Sequence, residues 1–194
     1  MNPLKLQPTS QLNIEELLHQ HDSDGGNLIN ESLSKLFSSL NDEENQHEVS
    51  IKVAALNQIY STAIQYIAPV VLKISEEIDN THTDLSEEQY ANLVDKISNV
   101  SWISQRTGKH HKRNNLSFCS KYIHFLSKYK LPIYDSYIWI VMVGYLNQKH
   151  QKKLGFSVPK NYKDFYSVFT NFRNDFELRK YSNYEIDKYL WQYG

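Results

Sequence analysis

Residues 137–146, YIWIVMVGYL, carry no charge at all and are apolar enough to be buried on every side. A segment of that length and composition reads as a buried helix. Just ahead of it stands PIYDS, residues 132–136. Pro132 disfavours a helical backbone at Leu131, so the helix starts later and Asp135 or Ser136 is placed to cap it. An ionised carboxylate beside a buried element is costly unless its charge is compensated. The free amides of a first helical turn and the positive end of the helix dipole supply that compensation, typically about 0.5–2 kcal/mol. A carboxylate held in this way stays charged and fixed in space, which also suits it to stabilise a cation, so capping and chemistry are compatible roles for Asp135.

Helical spacing dominates the remainder and strand signals are nearly absent, which predicts an all-α fold. Ile51, Ala55, Ile59, Ala63 and Ile67 recur at helical intervals, with Leu56 and Tyr60 widening the stripe, until Pro69 forces a break and a new helix through Val70, Ile74 and Ile78. Ser86 and Gln89 match a capping box ahead of Tyr90, Leu93, Val94 and Ile97. From 99 to 115 no apolar period survives, and SQRTGKHHKRNN reads as an exposed loop. Further helices are expected over 116–130, where Cys119, Tyr122, Ile123, Leu126 and Tyr129 form a stripe, and over 161–177 and 183–192. The last is introduced by Ser182 and Glu185 in capping-box positions, and its Ile186, Leu190, Trp191 and Tyr193 are expected to pack back on the body as a structural tail. Short helices are expected at 13–20 and 30–40. At 194 residues the chain is read as a single-domain helical bundle, 46–194, preceded by an acidic segment, 1–45.

The net charge of −1 conceals a partition. Residues 1–100 hold 5 Lys and Arg against 16 Asp and Glu, residues 101–153 hold 10 against 1, and residues 154–194 hold 6 against 5. The single acid of the basic middle is Asp135. Such a region makes a local positive field that attracts polyanions, unless the acidic half neutralises it across an internal interface. No apolar run approaches the roughly 20 residues of a membrane span, the first residues lack a secretory pattern, and a lone Cys119 forms no internal disulfide. A soluble protein of the reducing cytoplasm is expected, with Cys119 packed rather than reactive. HDSDGGNLINES has its oxygen ligands in the wrong order for a calcium loop, and His19 and His21 lack the companions of a zinc site. No metal or organic cofactor is expected.

The neighbours of Asp135 supply what chemistry on nucleic acid requires. Arg106, Lys109, His110, His111, Lys112 and Arg113 lie in one tract, with Lys121, Lys128 and Lys130 following, and these cations can neutralise phosphates. Trp102, Tyr134 and Tyr137, with Ser136 beside them, offer the surfaces of a pocket for an extruded base. Cleavage at an anomeric carbon passes through an oxocarbenium-like state, beside which a carboxylate serves as electrostatic partner, base or nucleophile.

SFCSKYIHF followed by LPIYDSYIWIVMVGYL resembles the helix, turn and helix of the helix-hairpin-helix DNA glycosylase superfamily, in particular the bacterial proteins related to 8-oxoguanine DNA glycosylase (OGG-like). The likeness centres on residues 101–150. In that superfamily an aspartate at a helix N-terminus, in patterns such as V-D-T-H-V-x-R-V, is the catalytic carboxylate, and DSYIWIV places Asp135 at that position. Ser120, Lys121, Tyr122 and Ile123 resemble the stretch that precedes it. The resemblance implies a helical glycosylase-like fold, double-stranded DNA as partner, and hydrolysis of the N-glycosidic bond of a flipped base with Asp135 as catalytic residue. Two features depart from the pattern: Gly108 stands alone where an L-P-G-V-G hairpin is usual, and Ser117 holds the position usual for the lysine of bifunctional members. Lys121 is the nearest lysine; a Schiff-base role there needs burial or a neighbouring cation to depress its pKa, while a structural or phosphate-binding role needs neither. With no cysteine quartet for an iron–sulfur cluster, a monofunctional enzyme is expected. Three alternatives stand beside it. They are a nucleic-acid-binding protein that kept the fold without the chemistry, a ribonuclease using the R-x4-H spacing of Arg106 and His111, and an interaction module working through the acidic half.

Overall fold

A computed structural model of the chain describes residue 6 and residues 9–80, 84–151, 155 and 157–192. Among these it is all-α apart from one two-stranded ribbon. The helices are α1 (Gln11–Ser23), α2 (Gly26–Ser39), α3 (Gln46–Ile59), α4 (Ala68–Glu77) and α5 (Glu87–Ser98), then α6 (Leu116–Leu126), α7 (Ser136–His150), α8 (Tyr162–Asp175) and α9 (Asn183–Gln192). Strands β1 (Asn99–Ile103) and β2 (His110–Asn114) lie between α5 and α6. Tyr193 falls outside the described residues. No described helix is long and apolar enough to cross a membrane, and no three described His, Cys, Asp or Glu side chains gather as metal ligands would.

The helix starts follow their caps. Ser86 accepts from the amide of Gln89 at 3.3 Å while the Gln89 side chain accepts from the Ser86 amide at 2.9 Å, the reciprocal pair that satisfies two backbone donors at the start of α5. Ser182 and Glu185 repeat the device ahead of α9, at 3.2 and 2.7 Å. Asp135 caps α7 by accepting from the Tyr137 amide at 2.9 Å. Helix α7 is buried along Ile138, Trp139, Val141, Met142, Val143, Tyr145 and Leu146, and among its aliphatic side chains only Ile140 turns outward. It packs on α8 and α9, α9 packs along α1, and α5 sits between α4, α6 and α8. Cys119 is fully buried, and burial pushes its thiol up to about 12, so it packs and does not react.

Two expectations fail, each for a physical reason. Helix α3 ends at Ile59, short of Ala63 and Ile67, and it buries Val49, Lys52, Val53 and Leu56, whereas Ile51 and Ile59 face solvent. The face is rotated because Lys52 points inward, where its ammonium pairs with Glu43 and donates to the Leu40 carbonyl at 3.1 Å, and Glu43 also accepts from the Tyr122 hydroxyl. A paired, hydrogen-bonded lysine occupies a core position that hydrophobicity alone assigns to isoleucine. The tract 99–115 is an antiparallel hairpin with Trp102 opposite His111 and Val100 opposite Arg113. Both its faces are largely solvated, so no alternation of apolar residues betrays it. Its turn closes through Ser104 and Lys109, with Gly108 at φ +64°, a left-handed backbone that glycine adopts without strain.

Candidate active-site cleft

Helix α6 and the turn 131–135 are locked together before either presents a functional group. The Ser120 hydroxyl donates to the Tyr134 carbonyl at 3.2 Å and accepts from the Tyr134 amide at 3.0 Å. The Tyr162 hydroxyl donates to the Pro132 carbonyl at 2.5 Å. His124 lies 2.6 Å from the Leu131 carbonyl through Nδ1, and burial holds its pKa down to about 4, so the neutral ring donates Nδ1–H to that oxygen. With the turn fixed, the Lys121 ammonium comes within 3.3 Å of Asp135 Oδ2 and donates to Ser117 Oγ at 2.8 Å. It also lies 5.3 Å from the centre of the Tyr60 ring. The lysine side chain is 4% exposed and the aspartate 25% exposed, so the pair shows its acid to the outside and hides its base. Burial draws the Lys121 pKa down from the ordinary amine value, and the charges of Asp135 and Asp187 oppose that fall.

Lys121 and Asp135 form one wall of a cleft of about 340 Å³, within the range of small-molecule sites. Its other walls come from His21 and Gly26 at the α1–α2 turn, from Tyr60 and Ser61 after α3, and from one face of α9 that carries Tyr184, Asp187, Lys188 and Trp191. The His21 ring lies where a side chain at position 26 would begin, so glycine is required there. Lys188 ties α9 to that turn through Asp22 at 3.0 Å and Asn27 at 2.8 Å. A second hollow of about 350 Å³ lies around Arg173 and Arg179. There the two terminal nitrogens of Arg173 donate to the Asn183 side chain and the Tyr181 and Arg179 carbonyls, locking the α8–α9 turn, so we read that hollow as structural.

The sequence-derived site is brought together in part. Asp135 and Lys121 meet in the cleft, but Asp135 is not its lone acid, since Asp187 lies there too. None of the four expected base-pocket residues lines the cleft. Trp102 is on β1, stacked on His111 with centroids 5.2 Å apart, and Tyr134 is buried against Phe165 because it follows the core side of the turn. Ser136 faces solvent at the first turn of α7, and Tyr137 makes an edge contact with Trp191 at 5.8 Å without lining the cleft itself. Tyr60, Tyr184 and Trp191 supply the aromatic surface instead, Trp191 being 55% exposed rather than packed on the body with Ile186 and Leu190. Of the expected phosphate contacts, Arg106, Lys109, His110, His111 and Lys112 project from the hairpin, exposed. Arg113 is turned inward, donating to the carbonyls of Ala63 at 2.8 Å and Thr62 at 3.3 Å. Lys128 is exposed after α6, and Lys130 is turned to Asp84 at 2.8 Å. Because His111 sits on a strand, the R-x4-H pair of Arg106 and His111 does not share a helix.

The loop after α3 connects hairpin to cleft. Asn57 holds it from beneath, accepting from the Ile64 amide at 2.9 Å and the Thr62 hydroxyl at 2.8 Å, while Arg113 holds it from above. Tyr60 and Ser61 lie at its start. The basic hairpin is thus braced on the segment that forms the cleft wall.

A family model described as HI_0787_N, N-terminal domain, matches residues 13–130, more than half of the chain. The chain belongs to this family. No curated protein and no solved structure matches it. The matched span supplies His21, Tyr60 and Lys121 to the cleft, whereas Asp135 and the α9 face come from the residues that follow it.

Asp187 is the residue that sequence reasoning missed. Burial lifts its carboxyl to about 7, against the opposing pull of Lys121, with Asp135 adding repulsion. The unfolded chain releases this proton near the ordinary 3.8 and the folded chain near 7, so the folded state binds more protons between those values and stability falls as pH rises through that window. Roughly 1–3 kcal/mol is involved after allowance for the partly open cleft side. Urea unfolding between pH 5 and 8 is expected to show this decline in the wild type, and Asp187→Asn is expected to flatten it.

Proposed function

We propose that the chain is a DNA N-glycosylase that hydrolyses the glycosidic bond of a base extruded into the Asp135 cleft. The observation that carries this reading is the Lys121–Asp135 pair. It is a carboxylate fixed by a helix amide and a buried ammonium, open on one side to an aromatic-walled cleft. Tyr60, Tyr184 and Trp191 in the cleft wall offer aromatic surface to an extruded base, and stacking on such surface is worth about 1–3 kcal/mol per base. As the bond to the base breaks, positive charge grows on the sugar and Asp135 stabilises it; a water adds to C1′ and passes its proton to the same carboxylate. Lys121 holds that carboxylate in place.

The exposed cations of the hairpin fit the phosphates beside the extruded nucleotide. Binding to a DNA duplex is expected to weaken steeply with salt, and the double substitution Lys109→Ala, Lys112→Ala is expected to reduce the log–log slope by about 1–2. A slope unchanged by these substitutions would remove the hairpin from the interface.

The burial of Lys121 favours a second reading in one respect, because a depressed amine pKa is what attack by Lys121 on C1′ would need. Borohydride reduction during turnover separates the two. Hydrolysis directed by Asp135 leaves no covalent adduct, whereas attack by the lysine leaves the DNA joined to Lys121.

A further inference from the structure

Among the described residues no donor reaches Asp187 Oδ1, which is shut off from solvent, and the residue nonetheless lines the cleft. Asp135, by contrast, accepts from a backbone amide and faces an ammonium. Two carboxyls therefore share one hollow in opposite surroundings, one provided with partners that suit an anion and one without them. Environments that separate two acids in this way divide the roles of base and acid between them.

We propose that Asp187 is the general acid of this cleft, donating its proton to the departing base, while Asp135 serves the sugar and the water. The inference rests on the glycosylase reading and narrows its substrate. A base already cationic leaves without a proton, so an acid in the cleft serves a neutral nucleobase with an acceptor on its ring or an exocyclic oxygen. The step balances. The O–H bond of Asp187 breaks and its proton goes to the base, the C1′–N electron pair leaves with the base, and water forms the new C1′–O bond. The water's proton goes to Asp135, and exchange with solvent afterwards returns both carboxyls to their starting states. The charged and titratable groups around Asp187 are Lys121 from α6, Asp135 at the start of α7, Lys188 and Tyr184 from α9, Tyr60 after α3, and His21 from α1. Tyr162 at the start of α8 also feels the Asp187 charge. Burial lowers the His21 pKa and raises those of Tyr60 and Tyr184, so these three are neutral in the range where Asp187 loses its proton. The acid's own value of about 7 leaves it half protonated at neutrality.

The test is single-turnover base release from pH 5 to 9, on a duplex carrying a neutral base that the wild type removes, alongside binding to a duplex with a tetrahydrofuran abasic site. The wild-type rate is expected to fall tenfold per pH unit above about 7. Asp187→Asn keeps a side chain of the same shape, and its rate is expected to fall about a hundredfold or more and lose the alkaline limb, with abasic-duplex binding unchanged. Persistence of the alkaline limb in Asp187→Asn, a rate within a few-fold of wild type, or a loss of binding equal to the loss of rate would overturn the assignment. If the wild type releases no base from any duplex, the glycosylase reading itself fails, an outcome distinct from all of these.

Discussion

Asp135→Asn is expected to lower base release by about a hundred- to a thousandfold or more while leaving the chain folded, because it removes the charge that faces the developing sugar cation and keeps the helix cap. Asparagine caps a helix as well as aspartate does, so the bond from the Tyr137 amide survives. What is lost besides catalysis is the ion pair with Lys121, whose ammonium keeps Ser117 and the Tyr60 ring. The amine then titrates lower still, since one of the charges opposing its desolvation has gone. The fall in stability should be about 1–2 kcal/mol, small beside a domain total of roughly 5–15 kcal/mol. Asp135→Ala is the useful contrast, because it removes cap and charge together. Urea unfolding and base release measured on the same preparations separate the two effects. A catalytic loss in Asp135→Asn no larger than its loss of folded fraction would mean that the carboxylate only caps.

The second large effect lies away from the cleft. Glu43→Leu is expected to destabilise the chain by about 3–5 kcal/mol, because it strands a lysine whose side chain is 0% exposed and leaves the Tyr122 hydroxyl without its acceptor. For a domain of this size each kcal/mol moves the melting temperature by about 2–4 °C, so the shift should be on the order of 10 °C. The triple replacement Lys52→Met, Glu43→Leu, Tyr122→Phe removes all three polar groups at once and is expected to recover most of the loss. Calorimetry of the two variants checks this. Equal destabilisation in both would show that the site depends on packing rather than on the stranded charge.

These two networks mark what could be read in the sequence. Asp135, Ser86 and Ser182 were legible as caps because capping is local: donor and acceptor lie within three residues of each other. The face of α3 was not, because the inward turn of Lys52 depends on Glu43 and on Tyr122, which comes from a distant helix. The hairpin escaped because its strands are polar on both faces. Tyr134 and Tyr137 adjoin Asp135 in sequence and Trp102 adjoins the basic tract, whereas the turn sends Tyr134 into the core and the cleft is closed from the far end of the chain. Asp187 did leave a trace. Tyr184, Asp187, Lys188 and Trp191 fall at the i, i+3, i+4, i+7 spacing of one helical face, an acid and a base between two aromatics. Reading α9 as a structural tail, on the strength of Ile186 and Leu190, passed over the opposite side of the same helix.

The measurement closest to the central claim uses the wild-type chain. It is incubated with duplexes that each carry one modified or mismatched base, and hot alkali then cuts the strand wherever a base has been removed. The cleft around Lys121 and Asp135 predicts strand scission at the altered position of at least one duplex, and none there with Asp135→Asn. Intact strands across the whole panel, under conditions where the chain binds the same duplexes, would contradict the account and leave a DNA-binding protein whose aspartate does no more than cap a helix.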